Sequence, residues 1–135
     1  MNIIQHLTYY PEHGICPLCM KFMEMGESDG YDLNICTKCD LDYFDGITQF
    51  EHNKLHYRII YYDQTRKQEE YRILIFQDIN ERSICHYTVW IKNFKIYRMF
   101  NSTDIKEENE LIYGIVELQD LYDVGEKFLK MEIFK

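Results

Sequence analysis

The sequence contains no alanine and only two prolines and six glycines among its 135 residues. Its first fifteen residues lack the basic start and the apolar core of a signal peptide. No run approaches the roughly 18 consecutive apolar residues that a membrane-spanning helix needs. No linker rich in serine or proline separates one part of the chain from another. These absences predict a cytoplasmic protein whose segments pack against one another.

Several sequence signals of catalysis are also missing. The chain has no glycine-rich phosphate loop, no nucleophile elbow and no spacing typical of a Ser/His/Asp triad. Hydrophobic residues make up 46% of the chain and charged residues 28%, which is typical of a folded protein and not of a disordered one. We therefore expect a folded protein without enzymatic activity.

Two Cys-x-x-Cys pairs are the most specific pattern in the chain. Cys16 and Cys19 form the first pair, and Cys36 and Cys39 form the second after sixteen intervening residues. Two such loops facing each other supply the four tetrahedral thiolates that Zn²⁺ prefers. The alternatives are local disulfides or redox turns, but a redox pair would need a βαβ context that the flanking residues do not indicate. The pattern predicts one structural Zn²⁺ and a reducing compartment.

Residues 16–39 resemble the zinc-ribbon family, in which two metal-binding loops are joined by a β-hairpin. Residues 21–25 and 31–35 both have the pattern of strands, and the turn between them has a glycine at each end. Phe22 is expected to pair with Leu33 across this hairpin. The resemblance implies metal binding only, because zinc ribbons include nucleic-acid binders, polymerase subunits, adaptors and domains with purely structural zinc.

Rubredoxins are similar to this segment but usually carry a glycine after each Cys-x-x-Cys pair. Here Met20 and Asp40 occupy those two positions. This departure from the rubredoxin pattern argues against an iron redox site and favours zinc.

The formal net charge is −8, and the acidic residues are concentrated near the metal-binding motif. Residues 1–50 contain two basic residues against eight acidic ones. A nucleic-acid-binding module is normally basic, because it must neutralise phosphates. The charge therefore favours a protein partner, which four carboxylates on and beside the hairpin tip are expected to bind: Glu24, Glu27, Asp29 and Asp32.

The second part of the chain has the pattern of an antiparallel β-meander. Short runs rich in β-branched and aromatic residues are separated by polar turns. The predicted strands cover residues 56–62, 71–77, 84–91, 95–100 and 111–116. Residues 2–10 are interpreted as a short strand or a lead-in that packs on the ribbon, and residues 40–47 as a loop or a short turn of helix.

The last segment has two interpretations. Leu118, Leu121, Tyr122, Phe128 and Leu129 follow helical spacing, which predicts a helix over about 118–131. Residues 128–134 also alternate as a strand would, and Gly125 could stop a helix.

Together these patterns predict an α+β protein, in which an N-terminal zinc ribbon precedes an antiparallel meander with a C-terminal helix. The predicted domains are residues 1–50 and 51–135.

Three alternative sites remain open at this point. Basic and aromatic residues are interleaved over residues 54–98, so a nucleic-acid-binding face containing Arg58, Arg72, Trp90 and Arg98 is the main alternative. His52 and His56 would share a metal if they lay on one helix. An HNH-like nuclease is a third possibility, but the histidine expected after the second loop is replaced by residues 40–42.

The leading hypothesis is a non-enzymatic zinc-containing adaptor that engages a macromolecule, most simply a protein. The lack of alanine and the 17 isoleucines are typical of AT-rich coding. This composition suggests a phage or viral accessory protein that inhibits a factor inside the host cell.

Overall fold

The computed structural model describes residues 3–28, 30–65, 68–76, 84–92, 95–101 and 115–130. They form two helices, α1 and α2, and eight strands, β1 to β8. In chain order these are α1 (Ile3–Glu12), β1 (Glu24–Ser28), β2 (Tyr31–Cys36), β3 (Leu41–Phe44), β4 (Ile47–His52), β5 (Leu55–Thr65), β6 (Gln68–Phe76), β7 (Ile84–Lys92), β8 (Lys95–Asn101) and α2 (Leu118–Lys130).

The eight strands form a single antiparallel sheet in which each strand pairs with its neighbour in the sequence. Short connections favour this arrangement, because antiparallel neighbours can be joined by tight turns. At the turn between β4 and β5, Asn53 and Lys54 have φ of 50° and 67°, as in a two-residue hairpin whose twist matches the sheet. The predictions of an α+β fold, an antiparallel meander and a helix near residue 118 are confirmed.

The first described residues form a helix, so the strand is the wrong one of the two interpretations given to residues 2–10. Ile4 and Leu7 are fully buried, and Thr8 and Pro11 are buried as well, which is helical spacing on one face. The helix ends with the amide of Gly14 bonded to the carbonyl of Pro11 and the amide of Ile15 bonded to that of Tyr10. Gly14 has φ of 77°, and this pattern is a Schellman motif.

The first strand of the hairpin between the cysteine pairs lies further along the chain than predicted, whereas the second strand begins at Tyr31 as predicted. Strand β1 runs over Glu24–Ser28, and Gly26 is opposite Leu33 in the register. Phe22 therefore does not pair with Leu33, and forms an isolated bridge with Ile15 instead. The reason is that the segment before β1 turns back to the first loop, where the amide of Met23 bonds to the carbonyl of Gly14.

Residues 40–47 form neither a loop nor a helical turn. They contain strand β3, which is joined to β4 by a turn at Asp45 and Gly46, with φ of 47° and 82°. Strand β4 spans the predicted domain boundary between residues 50 and 51, and it pairs with β3 on one side and β5 on the other. Whether residues 1–50 and 51–135 fold as two units is not tested by the structure, so this division stays a prediction.

The register gives the sheet two different faces. Thr48, Phe50, Tyr57 and Ile59 lie on one face, and both described helices pack there, α1 through Ile4 and Leu7 and α2 through Leu121 and Val124. We call this the core face. Residues at the alternate positions, including Ile47, Arg58, Ile60 and Arg72, are half-buried and form the open face. Among the described residues, both helices therefore cover the core face and neither covers the open face.

Gly125, predicted as a possible stop, lies in the interior of helix α2. A Cβ at this position would overlap the hydroxyl oxygen of Tyr57 and lie 3.1 Å from Cδ1 of Leu55. Glycine therefore allows the helix to approach the sheet closely. Of the strand predicted over residues 111–116, the first four lie outside the described residues, and Ile115 and Val116 form a turn before α2.

Candidate metal centre

The two Cys-x-x-Cys loops have matching backbone conformations. Met20 and Asp40, which follow the two pairs, have φ of 61° and 53°. This left-handed conformation is disfavoured for residues with a side chain, and glycine adopts it most readily. Met20 and Asp40 thus adopt the left-handed conformation that glycine usually supplies at these positions. The missing glycines do not change the loops, so they do not distinguish zinc from iron.

The four sulfurs converge on one point. The Sγ atoms of Cys16, Cys19, Cys36 and Cys39 all lie within 4.8 Å of one another. The Cys19 and Cys36 sulfurs are 3.8 Å apart. A tetrahedron with metal–sulfur bonds of about 2.3 Å has sulfur–sulfur edges of about 3.8 Å. The four cysteines are free thiols in the structure and are positioned to hold one metal ion.

Backbone amides already point at sulfurs of the first loop. The amide of Lys21 donates to the sulfur of Cys19 and lowers the pKa of that thiol to about 7. The Cys16 sulfur accepts from the amides of Cys19 and Leu18, but burial outweighs these bonds and raises its pKa. Burial also raises the pKa of Cys39 to about 12. Amide donors stabilise thiolates, so this loop is arranged for a charged sulfur.

The first loop is held from two sides. The amide of Cys16 bonds to the carbonyl of Lys21 at 2.8 Å, and the amide of Met20 bonds to the carbonyl of Cys16 at 2.8 Å. Nε2 of His6, on α1, lies 2.9 Å from the carbonyl oxygen of Pro17. His6 was not among the predicted site residues, because residues 2–10 were interpreted as a strand or a lead-in. The helical spacing of Ile4 and Leu7 is the sequence signal for this helix, and Pro11 opposes it.

Helix α1 also contacts the hairpin that carries the second pair. Nδ2 of Asn34, on β2, donates to the carbonyl oxygen of Pro11 at 2.9 Å. Cys36 follows two residues later at the end of the same strand, and Cys36 and Cys16 are both buried. The N-terminal helix therefore contacts both segments that carry the cysteine pairs.

The carboxylates predicted to bind a protein partner are divided between the two faces of the hairpin. Glu24, Glu27 and Asp32 are exposed, and Asp29 lies outside the described residues. Glu27 is directly opposite Asp32, so these two carboxylates lie side by side on one face. Glu24 is on the opposite face, because it is an odd number of residues from Glu27.

Exposed apolar side chains lie in the same region as the carboxylates. Phe22 is 88% exposed, Met25 is 71% exposed and Tyr31 is 59% exposed. Met25 is two residues from Glu27 in β1 and therefore shares its face. This part of the hairpin thus combines exposed apolar area with negative charge.

The residues of the alternative nucleic-acid face share one side of the sheet. In the register, Arg72 is opposite Thr88, Glu70 is opposite Trp90, and Trp90 is opposite Arg98. Arg58 is opposite Leu74, two residues from Arg72. All four predicted positions therefore belong to the open face.

Arg58 already interacts with other side chains on the open face. Its Nε donates to Oε1 of Gln49 at 2.8 Å, and its guanidinium carbon lies 5.2 Å from the ring centroid of Phe76. Gln49 in turn donates to Asp42 at 3.4 Å. Burial raises the pKa of Asp42. These contacts reduce the freedom of Arg58 to bind an external phosphate.

The two histidines considered as metal ligands have separate aromatic partners. His52 ends β4 and stacks on Tyr122 of α2, with 3.6 Å between ring centroids. His56 is in β5 and stacks on Phe76 at 5.1 Å. A shared metal required both on one helix, and they lie on two strands instead. Among the described residues, the four cysteines are the group of three or more potential ligands that converges.

Comparison with protein-family models, with curated proteins and with solved structures found no match for this chain. Neither of the described helices has the length and apolar character required to cross a membrane.

Proposed function

We propose that the protein is a non-enzymatic adaptor in which one structural Zn²⁺, held by Cys16, Cys19, Cys36 and Cys39, forms a zinc ribbon that presents a surface to a protein partner. The convergence of the four sulfurs carries this proposal, since a 3.8 Å separation matches an edge of a thiolate tetrahedron. Four thiolates form a closed ligand set that structural zinc sites use, and metal analysis distinguishes zinc from iron.

The protein partner is supported by the charge and exposure of the hairpin. Adjacent carboxylates at Glu27 and Asp32 repel a phosphate backbone and attract a basic protein surface. Met25 on the same face adds apolar area that a protein interface can bury. The metal holds this hairpin rigid, which lowers the entropic cost of binding.

Metal analysis and affinity capture test the proposal. The purified protein should contain one zinc per chain, and replacing Cys36 by serine should remove it. Capture from the native host should retain protein partners after nuclease treatment.

Reversing the charges with Glu27→Lys and Asp32→Lys should slow association, and added salt should reduce the difference. Glu51→Lys is the matched control, because Glu51 is an exposed carboxylate elsewhere in the same sheet.

Nucleic-acid binding through the open face is the second candidate. Its support is the register, which gives Arg58, Arg72, Trp90 and Arg98 positions on one face. Single-stranded RNA and DNA should then bind in low salt, and Arg72→Glu should abolish binding. Partners that disappear after nuclease treatment would favour this candidate over the adaptor.

The biological setting follows from composition. A chain without alanine and rich in isoleucine fits a phage or viral accessory protein. Free thiols that bind metal fit a reducing cytoplasm, including that of a host cell. In such a setting the adaptor would inhibit a host factor by occupying a basic surface on it.

A further inference from the structure

A cavity of about 160 Å³ lies between helix α1 and the core face of the sheet. Its helical wall is a single stripe of α1, spaced i, i+3, i+4 and i+7. The remaining wall comes from tyrosines on β3, β5 and β6. The lining residues are Gln5, Thr8, Tyr9, Glu12, Tyr43, Tyr61 and Tyr71.

The tyrosines on the strands form a fixed floor. Tyr61 and Tyr71 are cross-strand partners, with ring centroids 5.1 Å apart and planes inclined at 47°. Tyr71 is only 3% exposed. The hydroxyl of Tyr43 accepts a hydrogen bond of 3.1 Å from the amide of Gly46, so this side chain is anchored to the turn between β3 and β4. The floor therefore presents phenol rings whose positions are set before a ligand arrives.

Tyr9 forms the exposed rim of the cavity. It is 47% exposed, and its ring packs edge-on against Tyr10 at 5.3 Å and His13 at 4.7 Å. These contacts orient the ring without burying it. The ring can therefore contact a ligand that enters from solvent.

The cavity favours positive charge. Among the described residues, the lining contains no lysine, arginine or histidine, and its one carboxylate is the exposed Glu12. Burial raises the pKa of Tyr43, and the negative charge of Glu12 adds to this effect. The electrostatic potential of the Glu12 carboxylate therefore extends to Tyr43. Aromatic ring faces are negative and attract cations, most strongly when several rings surround the charge. The net charge of −8 repels anions from the whole protein.

We propose that this cavity binds an organic ammonium ion, with its N-methyl or N-methylene groups against the tyrosine rings and the Glu12 carboxylate as the counter-charge. A cavity of about 150 Å³ holds a molecule the size of benzene, so a trimethylammonium group fits the available space. The ligand is either a small quaternary amine or the methylated lysine side chain of another protein, since both present the same group.

Titration of the metal-loaded protein with choline and with 3,3-dimethylbutan-1-ol tests this assignment. The two compounds have nearly the same shape, but only choline is charged. Amide NMR shifts of residues 5–10, 12 and 43–46 should follow choline binding in the millimolar range, and the neutral alcohol should bind at least about fivefold more weakly. Equal binding of the two compounds, or no shifts up to about 100 mM choline, overturns the proposal.

Tyr9 and Glu12 are exposed, so variants at these two positions spare the buried core and separate the effect of the ring from that of the charge. Tyr9→Leu should weaken choline binding about fivefold, and Glu12→Gln should weaken it about threefold with loss of its salt dependence. Glu51→Gln is the matched control and should bind as the parent does. If Tyr9→Leu and Glu12→Gln both bind choline normally, the cavity is not the site and the proposal fails.

The source of the ammonium group is distinguished by a third probe. Nα-acetyl-trimethyllysine amide should compete with choline for the same residues. Tighter binding than choline identifies a lysine side chain of a protein as the ligand, and weaker binding identifies a small amine. Competition supports the ammonium site whichever of the two compounds binds more tightly, whereas absence of competition contradicts it.

Discussion

The hydroxyl of Thr48, on β4, donates a 2.7 Å hydrogen bond to the backbone carbonyl of Leu7, on α1. In a regular helix that carbonyl would accept from the amide of residue 11, but residue 11 is proline and has no amide hydrogen. Thr48 is fully buried, so no water reaches the bond. A strand side chain thus satisfies the carbonyl that Pro11 leaves free, and it joins the helix to the sheet.

Replacing Thr48 by valine should destabilise the protein by about 1–3 kcal/mol, because a buried carbonyl loses its donor while the side-chain volume is conserved. Chemical denaturation followed by circular dichroism measures the change. Thr48→Ser is the control, because it keeps the hydroxyl and should cost less than valine.

A double-mutant cycle shows whether the missing amide is the cause. Pro11→Ala restores an amide that can bond to the Leu7 carbonyl, so Thr48→Val should cost about 1 kcal/mol less in that background. If the two substitutions change the free energy of unfolding additively, the missing amide of Pro11 is not the reason for the Thr48 hydrogen bond.

Removal of the metal should destabilise the whole protein in one unfolding transition. The buried core includes Cys16 and Cys36 together with Leu55, Ile59 and Ile73, so the thiol cluster and the later strands share one interior. Cys36→Ser or a chelator should therefore lower the denaturation midpoint measured by both circular dichroism and tyrosine fluorescence. Cys85→Ser removes a cysteine outside the cluster and should leave the metal content unchanged.

The same experiment decides whether residues 1–50 and 51–135 are separate folding units. Two transitions, with the second unaffected by the chelator, would support the division predicted from sequence. A single transition would show that strand β4 joins the two parts into one cooperative structure.

Metal affinity should fall as the pH falls. Burial raises the pKa of Cys39 to about 12 and also raises that of Cys16, so both thiols carry a proton at neutral pH that metal binding must release. These two protons alone make the affinity at least about 100-fold weaker for each pH unit of acidification. The pKa of Cys19 is lowered to about 7, so a further proton competes below that pH and the dependence steepens. Competition with a chromophoric chelator between pH 6 and 8 measures the slope, and a pH-independent affinity would argue against thiolate ligands.

Gly125→Ala should destabilise the protein, although alanine is the better helix former by about 0.8–1.0 kcal/mol. The added methyl group overlaps the Tyr57 hydroxyl, and overpacking of this kind costs about 1–3 kcal/mol. Thermal denaturation gives the difference. Glu126→Ala, next to it on the exposed side of α2, should change stability by less than about 0.5 kcal/mol. A stabilised Gly125→Ala variant would mean that the helix can move away from the sheet at little cost.

The sequence by itself determined the features that depend on local spacing. The two cysteine pairs predicted the thiol cluster, because ligand spacing within a tight turn is a local property. Runs of β-branched and aromatic residues predicted the strands from β5 to β8, and the apolar pattern after Leu118 predicted α2, because periodicity along the chain reflects which side of an element is buried.

Only the tertiary structure decided the rest. Residues 3–12 could not be assigned as a helix with Pro11 in view, because the Leu7 carbonyl is satisfied by Thr48, which is 41 residues away. Gly125 could be read as a stop until Tyr57 was seen to occupy the space of a side chain. Glu24 and Glu27 lie on opposite faces because pairing with β2 places both in β1, whereas the sequence pattern placed Glu27 in the turn. For Thr48 and for Gly125 the deciding contact joins residues that are distant in sequence, and local propensity is too weak to oppose such a contact.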